Sequence, residues 1–445
     1  MLDSTRCRLY GERVAKTVKA RFQSLLGFAG VVALAVSAFL VTGVNPLDYT
    51  DEVLATIADR LRGRLSEPEP EWSERAGGPA VATAISDDHL VVVLNGAVEV
   101  RRLSDGGLEW DRVVDWAVPA GPVVVVGRVL GGGFEVLDAA TGRVRWKESK
   151  ATQVWPFRDV VVSAVCADDG GCELRAQDVD NGATQWTRRV SRVARRLAGY
   201  LSVDEAIDRY GMLPPDYPGT MPRLVGVVAD RQVTVIDTAN GTVRGELPEG
   251  DDTRVTMVGD RVLGVTAQPR PNGTCRITAR AWAPDGSEVW RHTAYDLGTA
   301  SGSGCEQRAD PLVGGDVVAA THHDGRPVLL SVVDGSVRWA GRAGQAVVAT
   351  DGRVAVVRGT DRKEFTVVDV TSGEVRWRRR AAESATVIPT EAAVIVHDTE
   401  AGAVTAFDPG TGGVLGSWET SATLVGADSG GVVLRNGRTL GYAVW

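Results

Sequence analysis

Five cysteines and five histidines hold most of the reactive side chains of this chain, and their spacing decides what chemistry is open to them. Cys166-Ala-Asp-Asp-Gly-Gly-Cys172 reads as two strands joined by a tight loop, with the two thiols facing each other across it. That pattern predicts a Cys166–Cys172 disulfide, and a second pair is expected between Cys275 and Cys305. An even count in this part of the chain suits an oxidising compartment. The rival use of these thiols is a metal site, but no His stands at ligand spacing from them. The one dense polar cluster is His322-His323-Asp324-Gly325. Its continuation into Arg326-Pro327 marks a hairpin tip, so the imidazoles read as exposed or satisfied side chains rather than ligands. His89, His292 and His397 are scattered among predicted strands. No Ser or Cys sits in a recognisable nucleophile setting. Gly131-Gly132-Gly133 joins two strands with no helix after it, so it cannot cradle a phosphate. Asn240-Gly-Thr and Asn272-Gly-Thr match a glycosylation sequon, but both are turn sequences. The expectation is therefore no catalytic, cofactor-binding or metal-binding residue, and no cofactor.

The elements that carry these residues are announced by a repeat. Phe134-Glu-Val-Leu-Asp138-Ala-Ala-Thr-Gly142-Arg-Val-Arg-Trp146 matches Phe365-Thr-Val-Val-Asp369-Val-Thr-Ser-Gly373-Glu-Val-Arg-Trp377 along its whole length. The glycine recurs as Gly106, Gly142, Gly182, Gly241, Gly286, Gly335, Gly373 and Gly412. Four positions later stand Trp110, Trp146, Trp186, Gly245, Trp290, Trp339, Trp377 and Gly416. An Asp precedes that end point by eight positions at Asp138, Asp178, Asp237, Asp369 and Asp408. The residue before each glycine is Asp, Asn, Thr or Ser, and such pairs tolerate the positive φ of a tight hairpin. The Asp can bond backbone amides in the turn, and the Trp offers a flat anchor between packed sheets. End points lie 36 to 59 residues apart. A unit of about 40 residues holding four short strands is a propeller blade.

These residues resemble the pyrroloquinoline-quinone-like (PQQ-like) propeller repeat, whose unit ends in a Leu-Asp-x-x-Thr-Gly-x-x-x-Trp hairpin. The resemblance spans about residues 72–445 and is similar to the propeller lipoprotein of the outer-membrane β-barrel assembly machinery and to quinoprotein alcohol dehydrogenases. It implies an all-β ring of four-stranded antiparallel blades. After the eighth motif, 423–427, 431–435 and 439–445 read as three strands lacking an outer one, and Trp72 fits as the missing strand. Literal counting gives nine units, whereas the family favours eight; an eight-bladed ring is the expectation. Closure by both chain ends removes exposed sheet edges.

What precedes the ring reads as an anchor. Residues 22–44 carry no charge, and at about 1.5 Å per residue they can cross a bilayer core of about 30 Å. Six bases and two acids crowd residues 1–21, which predicts a cytoplasmic N-terminus, with Cys7 on that side, and a propeller outside. The alternative is a cleaved signal peptide, with Val36-Ser37-Ala38 as its small-residue site. Val53, Ile57, Leu61 and Leu65 share one face of a short stalk helix within 45–71. The Pro/Glu run 66–71 follows as an extended linker. With a net charge of −8 overall and +4 in residues 1–21, the remaining 424 residues carry −12. Such an acidic body excludes a nucleic-acid partner.

One stretch interrupts the repeat, at about 190–222. Ser202-Val-Asp-Glu205 is a capping box that opens a short helix there. Arg188, Arg189, Arg192, Arg195 and Arg196 lie before it, and Tyr200 and Tyr217 flank it. Propeller insertions emerge on a rim where partners bind, so Arg192, Arg195, Arg196, Tyr200 and Tyr217 are the candidate partner-binding residues; a cap over the channel mouth is the structural alternative. Three functions remain. The first is a non-enzymatic scaffold for a protein or envelope-polymer partner. The second is a quinoprotein dehydrogenase with quinone and Ca²⁺ on the ring axis, against which no two cysteines here are adjacent. The third is a sensor, which would need a separate output partner because so little chain lies inside.

Overall fold

The computed structural model describes residues 70–445, apart from 87, 129–131, 168–169, 191–195, 215–216, 272–273, 302–304 and 308. The chain divides into two compact units, 1–66 and 67–445, and every described residue belongs to the second. The expected membrane span at 22–44, the basic segment and the stalk helix lie outside the described residues. Among the described residues, no helix is long and apolar enough to cross a membrane.

The second unit is a propeller of nine blades, each built on a four-stranded antiparallel sheet. In chain order these are blade 1 (80–113), blade 2 (116–148), blade 3 (153–190), blade 4 (196–248), blade 5 (253–292), blade 6 (295–340), blade 7 (346–380), blade 8 (386–419) and blade 9 (423–444 with 72–75). The first strand of each blade is innermost: Ala80–Ser86 touches both Trp116–Ala120 and Thr423–Ala427. Second strands are runs of buried β-branched residues, such as Val123–Gly127 and Val354–Arg358, because both of their faces are covered. Outer strands such as Leu108–Val113 and Val375–Arg380 are largely exposed.

Nine apolar clusters fill nine interfaces, from blades 1 and 2 through to blades 9 and 1. The ring is closed by Trp72–Arg75, which pairs antiparallel with Thr439–Val444 as the outer strand of blade 9. The expected count of eight is thus corrected to nine. Blade 9 takes its outer strand from the other end of the chain, so it has no third-to-fourth-strand turn in which the motif could appear. The eight motif turns plus this closing blade make nine, the literal count of the sequence, and the family preference for eight does not hold here.

The motif turn joins the third and fourth strands of blades 1–8. At Gly142 φ is +66°, a left-handed value that a side chain at this position would resist. The Asp138 carboxylate accepts from the Thr141 N–H at 2.9 Å and from its hydroxyl at 2.8 Å. Each of the eight pairings carries a bulge beside the residue opposite the Trp position, as at Val136/Leu137 opposite Trp146 and Val144. A bulge sharpens the local twist and re-aims side chains. The skipped residue is Arg145, Arg244 or Arg376 in three copies, and its guanidinium returns to the motif Asp138, Asp237 or Asp369 at 2.5–2.7 Å.

The two disulfides are Cys166–Cys172 and Cys275–Cys305. The first ties directly opposite residues of a hairpin in blade 3. The second ties the third strand of blade 5 to an insertion in blade 6.

Candidate binding site in the channel mouth

The insertion in blade 4 leaves after the inner strand Arg196–Ala198 and returns at Leu224–Ala229, so it spans 199–223 and Arg196 belongs to the blade. Its helix, Val203–Tyr210, starts as the sequence dictates. Ser202 Oγ accepts from the Glu205 N–H at 3.3 Å, and Glu205 Oε2 accepts from the Ser202 N–H at 2.9 Å. Gly211 ends the helix at φ +76°, donating to the Ile207 carbonyl.

The apolar side chains of this segment decide where it goes. Ala206 and Leu213 are buried among Ala82, Ala84 and Ala117 at the interface of blades 1 and 2. Met212 is buried with Ile388 and Leu424 between blades 8 and 9, on the far side of the ring from blade 4. Tyr200 and Met221 pack against blades 3 and 4. A segment that starts in blade 4 and buries itself in blades 1, 2, 8 and 9 crosses the ring axis. The insertion turns inward and plugs the channel instead of standing out on the rim.

Its legs are pinned at several points. Tyr217 Oη donates to the Leu201 carbonyl at 3.0 Å and lies 3.5 Å from Tyr200 Oη. Burial pushes the Tyr217 phenol up to about 12, and burial followed by Tyr217 pushes Tyr200 well above its ordinary value. The Met221 N–H donates to Asp159 Oδ1 at 2.8 Å. Arg223 grips the fully buried Asp237 with two bonds, Nε at 2.7 Å and Nη2 at 2.8 Å. The Arg223 contact, opposed by burial and reinforced by Arg244, holds the Asp237 carboxyl far below the ordinary carboxylate range.

Beside the plug lies a cavity of about 1040 Å³. Its wall is made by the starts of successive inner strands: Val81, Trp116–Val118, Gln153–Trp155 and Arg196–Leu197. Asn95, Asp115 and Arg128 come from neighbouring turns, and Tyr200 with Ser202–Glu205 supplies the plug side. These strand starts lie at the end of the ring away from the motif turns, so the cavity is one mouth of the channel, blocked behind by the plug. The Trp116 ring lies over Gly127, where a side chain would collide with it.

The Arg196 cation on this wall is balanced by carboxylates that lie outside it. Arg196 pairs with Glu249 and stands 3.8 Å from Asp310, while Arg254 meets Asp310 at 2.6 Å and Glu249 at 3.8 Å. Burial works against the Arg254 cation, and Asp310 and Glu249 together outweigh it, so its pKa is raised.

The remaining sequence candidates scatter. Arg196, Tyr200 and Tyr217 come together on the inner side of the ring, whereas Arg192 and Arg195 lie outside the described residues. His322 Nδ1 lies 2.8 Å from Asp324, which also meets Arg326 at 2.7 Å, at the hairpin tip the sequence indicates. His292, Tyr295, His322 and His323 form a chain of ring contacts at the junction of blades 5 and 6. Among the described residues, no group of three His, Cys, Asp or Glu side chains is placed to hold a metal ion. Asn95, Asp115, Trp116 and Gln153 went unnoticed in the sequence. The one signal for them was a tryptophan, Trp116, standing outside the repeat motif.

Fold and site define a nine-bladed β-propeller whose channel is filled by its own insertion. Residues 274–440 match the family model described as outer membrane protein assembly factor BamB, which agrees with the resemblance read from the repeats. No curated protein matches the chain. Among solved structures, BamB from Moraxella catarrhalis is 16% identical, with 76% of this chain and 94% of that chain covered at a TM-score of 0.38. The quinohemoprotein alcohol dehydrogenase ADHIIG from Pseudomonas putida HK5 is 11% identical, covering 86% of this chain and 72% of that one at a TM-score of 0.39. A eukaryotic initiation factor is 10% identical, covering 78% and 89% at a TM-score of 0.50, a likeness of fold alone.

Proposed function

We propose that this chain is a non-enzymatic, membrane-anchored binding or scaffold module, displayed outside the cytoplasm to a protein or envelope-polymer partner. The observation that carries the reading is the plug. In a quinoprotein the ring axis would hold the quinone and its Ca²⁺. Here the segment carrying Ala206, Met212 and Leu213 runs from blade 4 to the walls of blades 1, 2, 8 and 9, through the space such a cofactor would need. The two disulfides support an oxidising compartment, consistent with the basic-then-apolar N-terminal sequence.

Two measurements test this. Crosslinking in intact cells followed by mass spectrometry should recover an envelope partner; recovery of cytoplasmic proteins alone would count against both topology and role. The purified full chain, incubated with the quinone and Ca²⁺, should show no dye-linked alcohol oxidation. Clear turnover there would refute the scaffold reading.

A further inference from the structure

The cavity in the channel mouth has a lining that selects among ligand chemistries, and the inference drawn from it rests on the binding-module reading. At about 1040 Å³ it stands at the top of the range of ordinary ligand pockets, about 300–1,000 Å³, so it has room for several linked rings. The plug blocks it behind, so it receives a chain end or a short oligomer rather than a strand running through.

Its polar groups carry both signs. A strongly anionic ligand would meet Asp115, Asp204 and Glu205. A strongly cationic one would meet Arg128 and Arg196, the latter held in place by Glu249. A purely apolar ligand would cover Asn95 and Gln153 and leave their amides without water or a partner, which is costly. What suits such a wall is a neutral ligand rich in hydroxyl groups, each able to donate and to accept. Planar amide and carboxylate side chains can bridge neighbouring hydroxyls, and the partly buried Trp116 ring offers a flat apolar surface to the C–H face of a sugar ring.

We infer that the channel mouth binds the end of a neutral saccharide chain, with Trp116 as its ring platform and Asn95, Asp115, Gln153 and Asp204 as its hydroxyl partners. The proposed partner class thereby narrows to a polyhydroxylated envelope polymer.

The test uses the purified full chain and intrinsic tryptophan fluorescence, with calorimetry as the second readout. Maltopentaose, chitopentaose and mannopentaose serve as neutral probes, pentagalacturonate as the anionic control and pentalysine as the cationic control. At least one neutral probe should bind with Kd below about 1 mM, and more tightly than either control. Asn95 and Gln153 are exposed, so the double variant Asn95→Ala, Gln153→Ala keeps its fold and should weaken that binding about tenfold or more. Trp116→Phe, which keeps an aromatic face but a smaller one, should weaken it by a smaller factor. Failure of all three neutral probes up to about 10 mM overturns the inference. So does binding that the double variant leaves unchanged, or tighter binding of a charged control. Recovery of an envelope protein by crosslinking together with no saccharide binding would remove this inference and leave the scaffold reading standing.

Discussion

Trp72 lies against Gly106 of blade 1, its indole N–H donating to the Leu103 carbonyl at 2.5 Å. The same relationship recurs around the ring, with Trp110 against Gly142 and donating to Ala139, and Trp377 against Gly412 and donating to Pro409. In each case the tryptophan of one blade seats on the motif glycine of the next. Trp72 performs that step between the last blade and the first. Trp72→Ala should therefore cost about 3–5 kcal/mol, as for a buried aromatic, in denaturant unfolding of the full chain. Val113→Ala, at a residue 70% exposed on an outer strand, should stay within about 0.5 kcal/mol. Equal effects would mean that the closing strand does not lock the ring.

How far the sequence reaches can be judged from the same residues. The turn residues, the Trp anchors and the closing role of Trp72 were legible because they rest on local geometry repeated many times. The pairing partner of Trp146, a glycine turn one blade onward, was not, because nothing in a single repeat says which neighbour it meets. The bulge beside each Trp position was hidden for a similar reason: it is a property of two paired strands, and each strand alone looks regular. The path of 199–223 was the least legible part. Its capping box gave the helix, but Ala206, Met212 and Leu213 show where it packs only once the far blades are in place. The charge-free stretch 22–44 states its own chemistry in sequence alone.

Gly142 and Gly286 separate two roles of the motif glycine. Both have positive φ, +66° and +84°, so replacing either with Ala strains the backbone. At Gly142 an added Cβ would sit 2.8 Å from the Trp110 ring, whereas at Gly286 it would meet nothing within 4 Å. The difference arises because blade 4 has Gly245 where blade 1 has Trp110. Gly142→Ala should lower Tm by several degrees more than Gly286→Ala. Identical shifts would show that the seat for the Trp contributes nothing beyond turn geometry.

The disulfides should differ in weight. Their partners are 6 and 30 residues apart, and a longer closed loop removes more entropy from the unfolded chain. On loop entropy alone, losing Cys275–Cys305 should cost about 1–1.5 kcal/mol more than losing Cys166–Cys172. Paired Cys→Ser variants compared by urea unfolding give the answer. A larger loss from the Cys166–Cys172 pair would show that strain or local packing outweighs loop closure.

Acid should destabilise the ring through its motif turns. Backbone N–H donation from Ser372, aided by the Arg376 guanidinium, lowers the Asp369 carboxyl to about 2, and Ser336 lowers Asp334 to about 2. The unfolded value of an Asp is about 3.9. A depressed folded pKa contributes stability that is complete above the unfolded value and is lost as pH falls through the folded one. Unfolding free energy should therefore drop between about pH 4 and pH 2, and Asp369→Asn should flatten that drop. A wild-type profile unchanged by Asp369→Asn would remove the turn carboxylates as the cause.

Asp237 joins the repeat to the plug. It is the motif Asp of blade 4, it is fully buried, and it accepts from Arg223 at the end of the insertion as well as from Arg244 beside its own bulge. Replacing it with Asn keeps the shape but removes the charge from two guanidinium groups. Breaking a buried ion pair by altering one partner can cost about 3–5 kcal/mol. Arg223 and Arg244 are 55% and 35% exposed, so water can take up part of their charge and the loss should be nearer about 2–3 kcal/mol. The informative effect is local. Arg223 is the last residue before the chain re-enters blade 4, so Asp237→Asn should speed hydrogen exchange across 199–223 more than across the neighbouring strands Gln232–Asp237 and Thr242–Pro248. The equivalent change Asp369→Asn, in a blade without a plug, should leave exchange in 199–223 unchanged. If both variants loosen the insertion equally, the effect is a general weakening of the ring, and the Arg223–Asp237 contact is not what holds the channel shut.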